Sequence, residues 1–278
     1  MNIESREKTV IEAGQGSHRY WQDLWAFREL FFFLTWRDIL VRYKQTVFGI
    51  LWSVLRPLLT MLVFTFVFGK VANLPADGGV AYPVMVFAAL MPWQMFANAL
   101  QESSNSLIGN EALISKVYFP RMILPISSII TSAVDFLISF ALFLVMMLIY
   151  GVSFHWQILL LPLFVGMALL TAIGTGLIIS ALNVSFRDFR YIIPFLVQFG
   201  LYVSPVGFSS AVIPEQWRLL YSLNPMVGVI DGFRWCLLGE HVVFYWPGFL
   251  ASIAVMVLCL VVGVRVFRTM ERGFADKI

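Results

Sequence analysis

The chain has 278 residues, of which 60% are hydrophobic and 13% are charged, and its mean hydropathy is +0.83. Soluble domains carry about a quarter charged residues, so this composition excludes an ordinary soluble protein and indicates a membrane protein. The formal net charge of +3 says little by itself. The two cysteines are far apart, and they imply neither a disulfide framework nor a metal site.

The first 46 residues differ from the rest of the chain. Residues 1–22 form a polar leader without an apolar signal region, which we expect to be cytosolic. Residues 23–46 predict an amphipathic helix that lies along the membrane surface, either as a plain anchor or as a docking shelf for a cytosolic partner. Its expected polar face holds Arg28, Thr35, Asp38, Arg42 and Gln45, and its expected apolar face holds Phe27, Leu30, Leu34 and Val41.

Residues 47–278 contain six stretches that are apolar and long enough to cross a bilayer. Lipid offers backbone groups no hydrogen-bond partner, so each stretch predicts a helix and the domain an all-α membrane fold. The expected spans are 47–69, 82–104, 122–150, 156–184, 191–211 and 243–266.

The distribution of positive charge predicts the topology. If both termini are cytosolic, 16 of the 19 Lys and Arg residues lie on the cytosolic side, and Lys70, Arg218 and Arg234 lie outside. Cytosolic loops are enriched in Lys and Arg. We therefore expect a multi-pass membrane protein with cytoplasmic N- and C-termini.

Catalytic signatures are absent from the sequence. It contains no G-x-x-x-x-G-K-[ST], H-E-x-x-H or G-x-S-x-G motif. Six spans with small loops suit a channel, a membrane enzyme, a secondary carrier or half of a pump. Two charges, Arg56 and Asp135, fall inside the spans. Either they neutralise each other, or one faces a hydrated conduit. Two isolated charges are weak support for an ion-coupled carrier.

Span four contains small residues at four-residue spacing, namely Ala168, Ala172, Gly176 and Ser180. Small residues at this spacing allow two helices to approach closely. The pattern predicts tight packing inside the subunit, and a subunit interface is the alternative.

Three strings go beyond composition: "NSLIGNEALISKVYFPRMILP" after span two, "NVSFRDFRYIIP" after span four and "AVIPEQWRLLYSLNPMVGVIDGFRWCLLG" after span five. In this order they resemble the permease subunit of ABC-2 type exporters, particularly those of O-antigen, capsule and teichoic acid linked to a lipid carrier. The resemblance extends from about Trp36 to the C-terminus.

The resemblance implies a six-span fold, an interface helix before span one and re-entrant helices between spans five and six. It implies a transport subunit rather than an enzyme, located in the bacterial inner membrane. There it would form a homodimer in the lipid bilayer that binds two copies of a cytosolic ABC ATPase. ATP and Mg would then be bound by the partner, with no cofactor on this chain. The implied substrate is a glycan linked to undecaprenyl diphosphate, most readily an O-antigen, and no nucleic acid is involved.

Residue roles follow from the same resemblance. The expected contacts with the ATPase are Glu111, Lys116, Tyr118, Arg121, Arg187 and Asp188. For the charged residues, positive-inside anchoring on the cytosolic side is the alternative. In the outer re-entrant segment we single out Asn224 and Pro225, where a helix break is expected, and Asp231 and Arg234, which are three residues apart and predict a pair on one helical face.

A conduit for a glycan needs side chains that stack weakly on sugar rings, and aromatic residues suit this. The expected translocation pathway comprises Trp52, Arg56, Phe64, Trp93, Phe96, Asp135, Phe195, Phe199 and Tyr202. A diphosphate headgroup is expected to enter near Arg28, Arg42 and Lys44. The alternatives are an ABC-2 exporter of a small amphiphilic drug, an ion-coupled carrier and a membrane-bound glycan-processing enzyme.

Overall fold

The computed structural model describes residues 17–44, 47–186, 188–239 and 242–274, and the regular structure in these ranges is helical. We number the helices α1 (Ser17–Ala26), α2 (Arg28–Lys44), α3 (Val47–Phe64), α4 (Tyr82–Gly109), α5 (Glu111–Lys116), α6 (Ile123–Tyr150), α7 (Leu161–Ser185), α8 (Phe189–Val203), α9 (Glu215–Tyr221), α10 (Pro225–Leu238) and α11 (Trp246–Met270). A π-helical turn, Thr65–Val71, extends α3, and a 3₁₀ turn, Trp156–Leu160, precedes α7.

Helix α4 lies at the centre of the bundle, packed against α3, α6, α7, α8 and α10. It is apolar on all sides along its first half, where every residue from Val84 to Trp93 is buried. A helix of this kind needs protein contacts all round, which explains why these five helices surround it. Helices α3 and α11 are at the periphery and are mostly exposed.

A second core defines one end of the bundle, which we call the α2 end. Leu34 of α2 packs there with Leu107 of α4, Ile123 of α6 and Phe267 of α11. Phe274, the last described residue, is also fully buried in this core. Both ends of the described chain therefore lie at the α2 end, and the start of α4 lies at the opposite end.

Five helices in the described part of the chain are long and apolar enough to cross a membrane: Leu51–Val71, Tyr82–Gly109, Ile123–Tyr150, Trp156–Ser185 and Trp246–Gly273. The expected span at 191–211 differs. Its helix, α8, ends at Val203 after 15 residues, about 22 Å, which is shorter than a hydrocarbon core of ~30 Å. The helix stops because Pro205 has no N–H and restricts Ser204 to an extended conformation.

Helices α7 and α11 touch through their backbones. A Cβ atom on Gly263 would lie 2.2 Å from the carbonyl oxygen of Gly174, and one on Gly174 would lie 2.6 Å from the backbone nitrogen of Leu260. Only glycine fits at both positions. The expected stripe of small residues on α7 is buried in the protomer as well, at Ala168, Ala172, Gly176 and Ser180. The prediction of tight packing inside the subunit is confirmed.

Residues 17–44 are helical apart from an interruption at Phe27 between α1 and α2, so the helix begins at Ser17, within the expected leader of residues 1–22. Phe27 and Leu30 pack against the core of the α2 end, and Leu34 is only 1% exposed. The expected placement of Val41 on this face is wrong, because its side chain is 71% exposed. At that level α2 lies beside a polar opening, which Val41 borders together with Glu102. Gln45 lies outside the described residues.

Candidate functional site

A polar cavity of about 280 Å³ lies between α2, α3, α4 and α6. Arg42 of α2 donates to Asp135 of α6, with 2.8 Å between Nη1 and Oδ2, and to Glu102 of α4. Tyr43 also donates its hydroxyl proton to Asp135. Burial first, and then the hydrogen bond to Asp135, raise the pKa of Tyr43 above its ordinary value. The phenol therefore stays protonated and acts as a donor.

The two charges expected inside the spans are both at this cavity, but they are not ion-paired with each other. The ion-pair partner of Asp135 is Arg42, which comes from the interface helix. The exposed Arg56 lines the same cavity from α3. Of the two alternatives for these charges, mutual neutralisation is wrong, because α2 packs along α6 and brings Arg42 to the carboxylate of Asp135.

Three amide side chains of α4 line the cavity and were missed from the sequence: Gln94, Asn98 and Gln101. Their spacings of four and three residues put them on one helical face. This spacing was visible in the sequence, but the mean hydropathy of the span conceals it, because the surrounding residues are apolar.

The aromatic residues expected in the pathway separate into two groups. Trp52 is 62% exposed and borders the cavity. Phe195, Phe199 and Tyr202 lie exposed on one face of α8, where the rings of Phe195 and Phe199 stack with centroids 6.2 Å apart.

The other group packs inside the protomer. Phe64 is 5% exposed and stacks on Tyr202, with centroids 6.0 Å apart. Trp93 is also 5% exposed, and its ring covers Gly200 of α8. Phe96 is half-buried against Trp93. These rings fill the space between α8 and its neighbours, so they do not line an open surface of the protomer.

A second cavity, of about 540 Å³, lies at the α2 end between α5, the segment 117–121 and the end of α11. Two of the expected contact residues, Lys116 and Tyr118, line it with exposed side chains. Glu111 is exposed at the start of α5, and Asp188 is exposed before α8. The candidate Arg187 lies outside the described residues.

Glu271, which follows α11, ties this groove together and was missed from the sequence. Its carboxylate accepts from the backbone N–H of Arg121 at 3.0 Å and from the hydroxyl of Tyr20 at 3.2 Å. Its carbonyl oxygen accepts from the Arg121 guanidinium. Arg268 lies over the Tyr20 ring, 3.7 Å from its centroid. Burial raises the pKa of Tyr20, and the neighbouring Glu271 raises it further. Three distant parts of the chain therefore meet at one carboxylate.

At the opposite end, the expected break at Asn224 and Pro225 is present. The Asn224 side chain accepts from the N–H of Met226 at 3.1 Å and so caps α10, whose first residue is Pro225. The same side chain donates to Ser204 at 3.0 Å. The cap thereby connects α10 to the end of α8.

Arg234 does not form the expected pair with Asp231. It is fully buried and donates to the carbonyl oxygens of Phe208 at 2.9 Å, Val206 at 3.1 Å and Met85 at 3.4 Å. Its nearest carboxylate is that of Asp77, 3.9 Å away. The physical reason is the extended backbone after α8, whose carbonyls need donors.

Asp231 has an environment of its own in α10. Burial raises its pKa to about 6, although Arg234 and a hydrogen bond from Ser210 oppose this shift.

These features define a membrane protein built as a helical bundle, with a polar cavity inside and a groove of short segments at one end. Residues 29–238 match the family described as ABC-2 type transporter. The chain belongs to this family.

Relatives of known function match nearly the whole chain. The O-antigen export system permease proteins RfbA of Klebsiella pneumoniae and Myxococcus xanthus are each 29% identical to it. The matches cover 89% and 92% of this chain and 94% and 98% of the relatives. The capsule polysaccharide export inner-membrane protein CtrC of Neisseria meningitidis is 26% identical, over 86% of this chain and 91% of its own length.

Proposed function

We propose that this chain is the permease subunit of an ABC exporter that moves a lipid-carrier-linked polysaccharide, an O-antigen in the first instance, out of the cytosol across the inner membrane. The observation that carries the proposal is its family membership, together with relatives named as O-antigen and capsule permeases that align over almost their full length. Capsule and teichoic acid are the neighbouring substrates in the same class.

The arrangement of the chain supports six crossings with cytosolic termini. Both described ends pack in one core at the α2 end, as an even number of crossings requires. Helix α8 starts at that end and reaches Trp93, about 16 Å along α4 from Tyr82. The extended residues after it continue to Tyr82, whose hydroxyl donates to the carbonyl of Gly207. Helix and extended segment together make the fifth crossing.

The extended part of this crossing is compatible with a membrane because protein shields it. Non-helical backbone survives at membrane depth only where other groups satisfy its hydrogen bonds. Arg234 and Tyr82 supply donors here, and residues 204–207 are buried. The following α9 and α10 then act as the re-entrant pair on the outer side.

The groove at the α2 end is our proposed docking site for a separate ATPase, which carries ATP and Mg. Its exposed Lys116 and Tyr118 are available to a partner, while Arg121 is fixed from behind by Glu271. A short helix held in this way transmits a rigid-body movement into α4 and α6, between which it lies. One ATPase on each permease of a homodimer gives the complex two motors.

The glycan path is proposed along the exposed aromatic face of α8 and past Trp52 of α3, facing the second permease. Arg28 and Lys44 are exposed cations of α2 and remain candidates for meeting a diphosphate headgroup. Arg42 is less suited to this role, because Glu102 and Asp135 already neutralise its charge.

The test is deletion of the gene, followed by measurement of surface polysaccharide and by co-purification of the tagged permease with the cellular ATPase. We expect the polysaccharide to accumulate inside the cell on its carrier, and complementation to require an ATPase with an intact phosphate loop. Unchanged surface polysaccharide would refute the proposal. Transport by the permease alone, driven by a proton gradient, would favour an ion-coupled carrier.

A further inference from the structure

The polar cavity holds a set of side chains that the aromatic path does not explain. Three amides of α4, two carboxylates, two guanidinium groups and the ring of Trp52 converge on one space inside the protomer. We propose that this cavity is a binding site for one sugar unit of the exported polysaccharide. The inference rests on the proposed function, since it names where in the permease the glycan is recognised.

The amides match the hydrogen-bonding character of sugar hydroxyls. Each amide offers both donors and an acceptor, as a hydroxyl does, so an amide satisfies a hydroxyl in either orientation. Gln94, Asn98 and Gln101 extend over about 10 Å of α4. They therefore present a row of such groups on one wall of the cavity.

Helix α3 supplies an aromatic ring to the same cavity. Trp52 lines it together with the α4 amides, and its side chain is 62% exposed. The C–H face of a sugar ring is apolar and packs on an aromatic face. Small-molecule sites typically combine such apolar surface with a few placed polar groups.

The charges of the cavity argue against a diphosphate as its occupant. Arg42 and Arg56 are matched in number by Glu102 and Asp135, so the formal charge of the lining is zero. Two carboxylates would repel a phosphate, whereas they accept hydrogen bonds from hydroxyls. A neutral ligand rich in hydroxyls fits this balance.

The size of the cavity sets how much of the polymer it takes. Its volume of about 280 Å³ is at the lower limit of ligand pockets, which begin at about 300 Å³. This space suits one sugar unit rather than a chain. The site therefore recognises the glycan locally, beside the path along which the polymer moves.

The experiment uses the full permease, co-purified with its ATPase and placed in lipid nanodiscs. The probe is a set of oligosaccharides released by mild acid hydrolysis from the surface polysaccharide of the same bacterium, observed by saturation-transfer NMR. We expect saturation of sugar ring protons by the wild type. The double variant Asn98→Leu, Gln101→Met keeps side-chain volume but removes two of the three amides, and it should weaken binding about tenfold or more.

The matched control is Asn105→Leu on the same helix. Asn105 is exposed and bonds the backbone carbonyl of Gln101, and it does not line the cavity. This variant should bind like the wild type. Trp52→Leu should also weaken binding, while Trp52→Phe should retain most of it. Trp52 is exposed, so these two variants keep the test valid if the amide variant fails to fold.

Three results would overturn the site. The first is undiminished binding by both the amide variant and Trp52→Leu, and the second is no binding by the wild type. The third is displacement of the oligosaccharide by inorganic pyrophosphate at micromolar concentration, which would indicate a headgroup site. None of these results would contradict the deletion phenotype. Unchanged surface polysaccharide after deletion would instead refute the proposed function, so the two failures are distinguishable.

Discussion

Arginine is buried or half-buried at both ends of this bundle, in two different ways. Arg42, towards the α2 end, pairs with two carboxylates at the edge of a polar cavity. Arg234, at the opposite end, is enclosed by protein and donates to three backbone carbonyls. The difference teaches that charge inside a membrane protein has two uses. One lines a polar cavity, for which we propose a sugar ligand, and the other replaces the water that non-helical backbone would need.

The largest effect is expected from Arg234→Met. Three carbonyls then lose their donor inside a sealed region, which should cost about 3–5 kcal/mol of stability. Thermal unfolding of the purified protein in detergent measures the loss. The control is Arg218→Met, whose partly exposed guanidinium bonds one carbonyl at 3.1 Å and should matter much less. Equal stability of the two variants would remove the distinction between the two arginines.

The second effect separates the two partners of Arg42. The Asp135 side chain is 15% exposed and also accepts from Tyr43, whereas the Glu102 side chain is 49% exposed. Asp135→Asn should cost about 1.5–3 kcal/mol, and Glu102→Gln at most about 1 kcal/mol. Unfolding midpoints and surface glycan, measured side by side, check this order. A greater loss in Glu102→Gln would mean that the buried pair is not the dominant one.

A third prediction concerns the groove at the α2 end, between α5 and the end of α11. Glu271→Ala should lower the amount of glycan exported per ATP hydrolysed by several-fold, because the segment at Arg121 loses its support from α11. Glu271→Gln keeps an acceptor and should restore part of the coupling. Arg265→Gln, at an exposed position of α11 that does not line the groove, is the control. Parallel loss of ATPase activity and export in Glu271→Ala would point to a folding defect instead.

The smallest effect is a pH dependence of stability that arises from Asp231, at the end opposite the α2 end. The pKa of Asp231 is raised from 3.8 to about 6, so its protonated form is favoured in the fold. Its stabilising contribution is complete below about pH 4 and is lost as the pH rises through 6. The unfolding midpoint of the wild type should fall relative to Asp231→Asn between pH 4 and pH 7. Parallel curves for the two proteins would show that this carboxyl is ionised throughout.

The sequence predicted the parts of the fold that depend on local chemistry. Apolar length located the five long helices, the small residues of α7 predicted its close packing, and Asn224 with Pro225 predicted the start of α10. Each of these signals depends only on residues that are close together in the sequence. The end of α8 was also a local signal, in Ser204 and Pro205, but the apolar residues that follow concealed it.

The parts that could not be predicted depend on distant residues. Asp135 is 93 positions from Arg42, and Arg234 is 149 positions from Met85. Charge alone suggested Arg56 as a partner of Asp135, and helical spacing suggested Asp231 as a partner of Arg234. The fold forms neither ion pair. The role of Glu271 was likewise invisible, because Arg121 is 150 positions away.

The glycine contact between α7 and α11 has a mechanical consequence. Two helices whose backbones touch at Gly174 and Gly263 have no side chains between them that re-pack to let one slide past the other. We therefore expect α7 and α11 to move together as one rigid body. Under the proposed function, a movement that starts at the α2 end would then be taken up by α3, which carries a π-helical turn, and by the short α8, because both are less extensively packed.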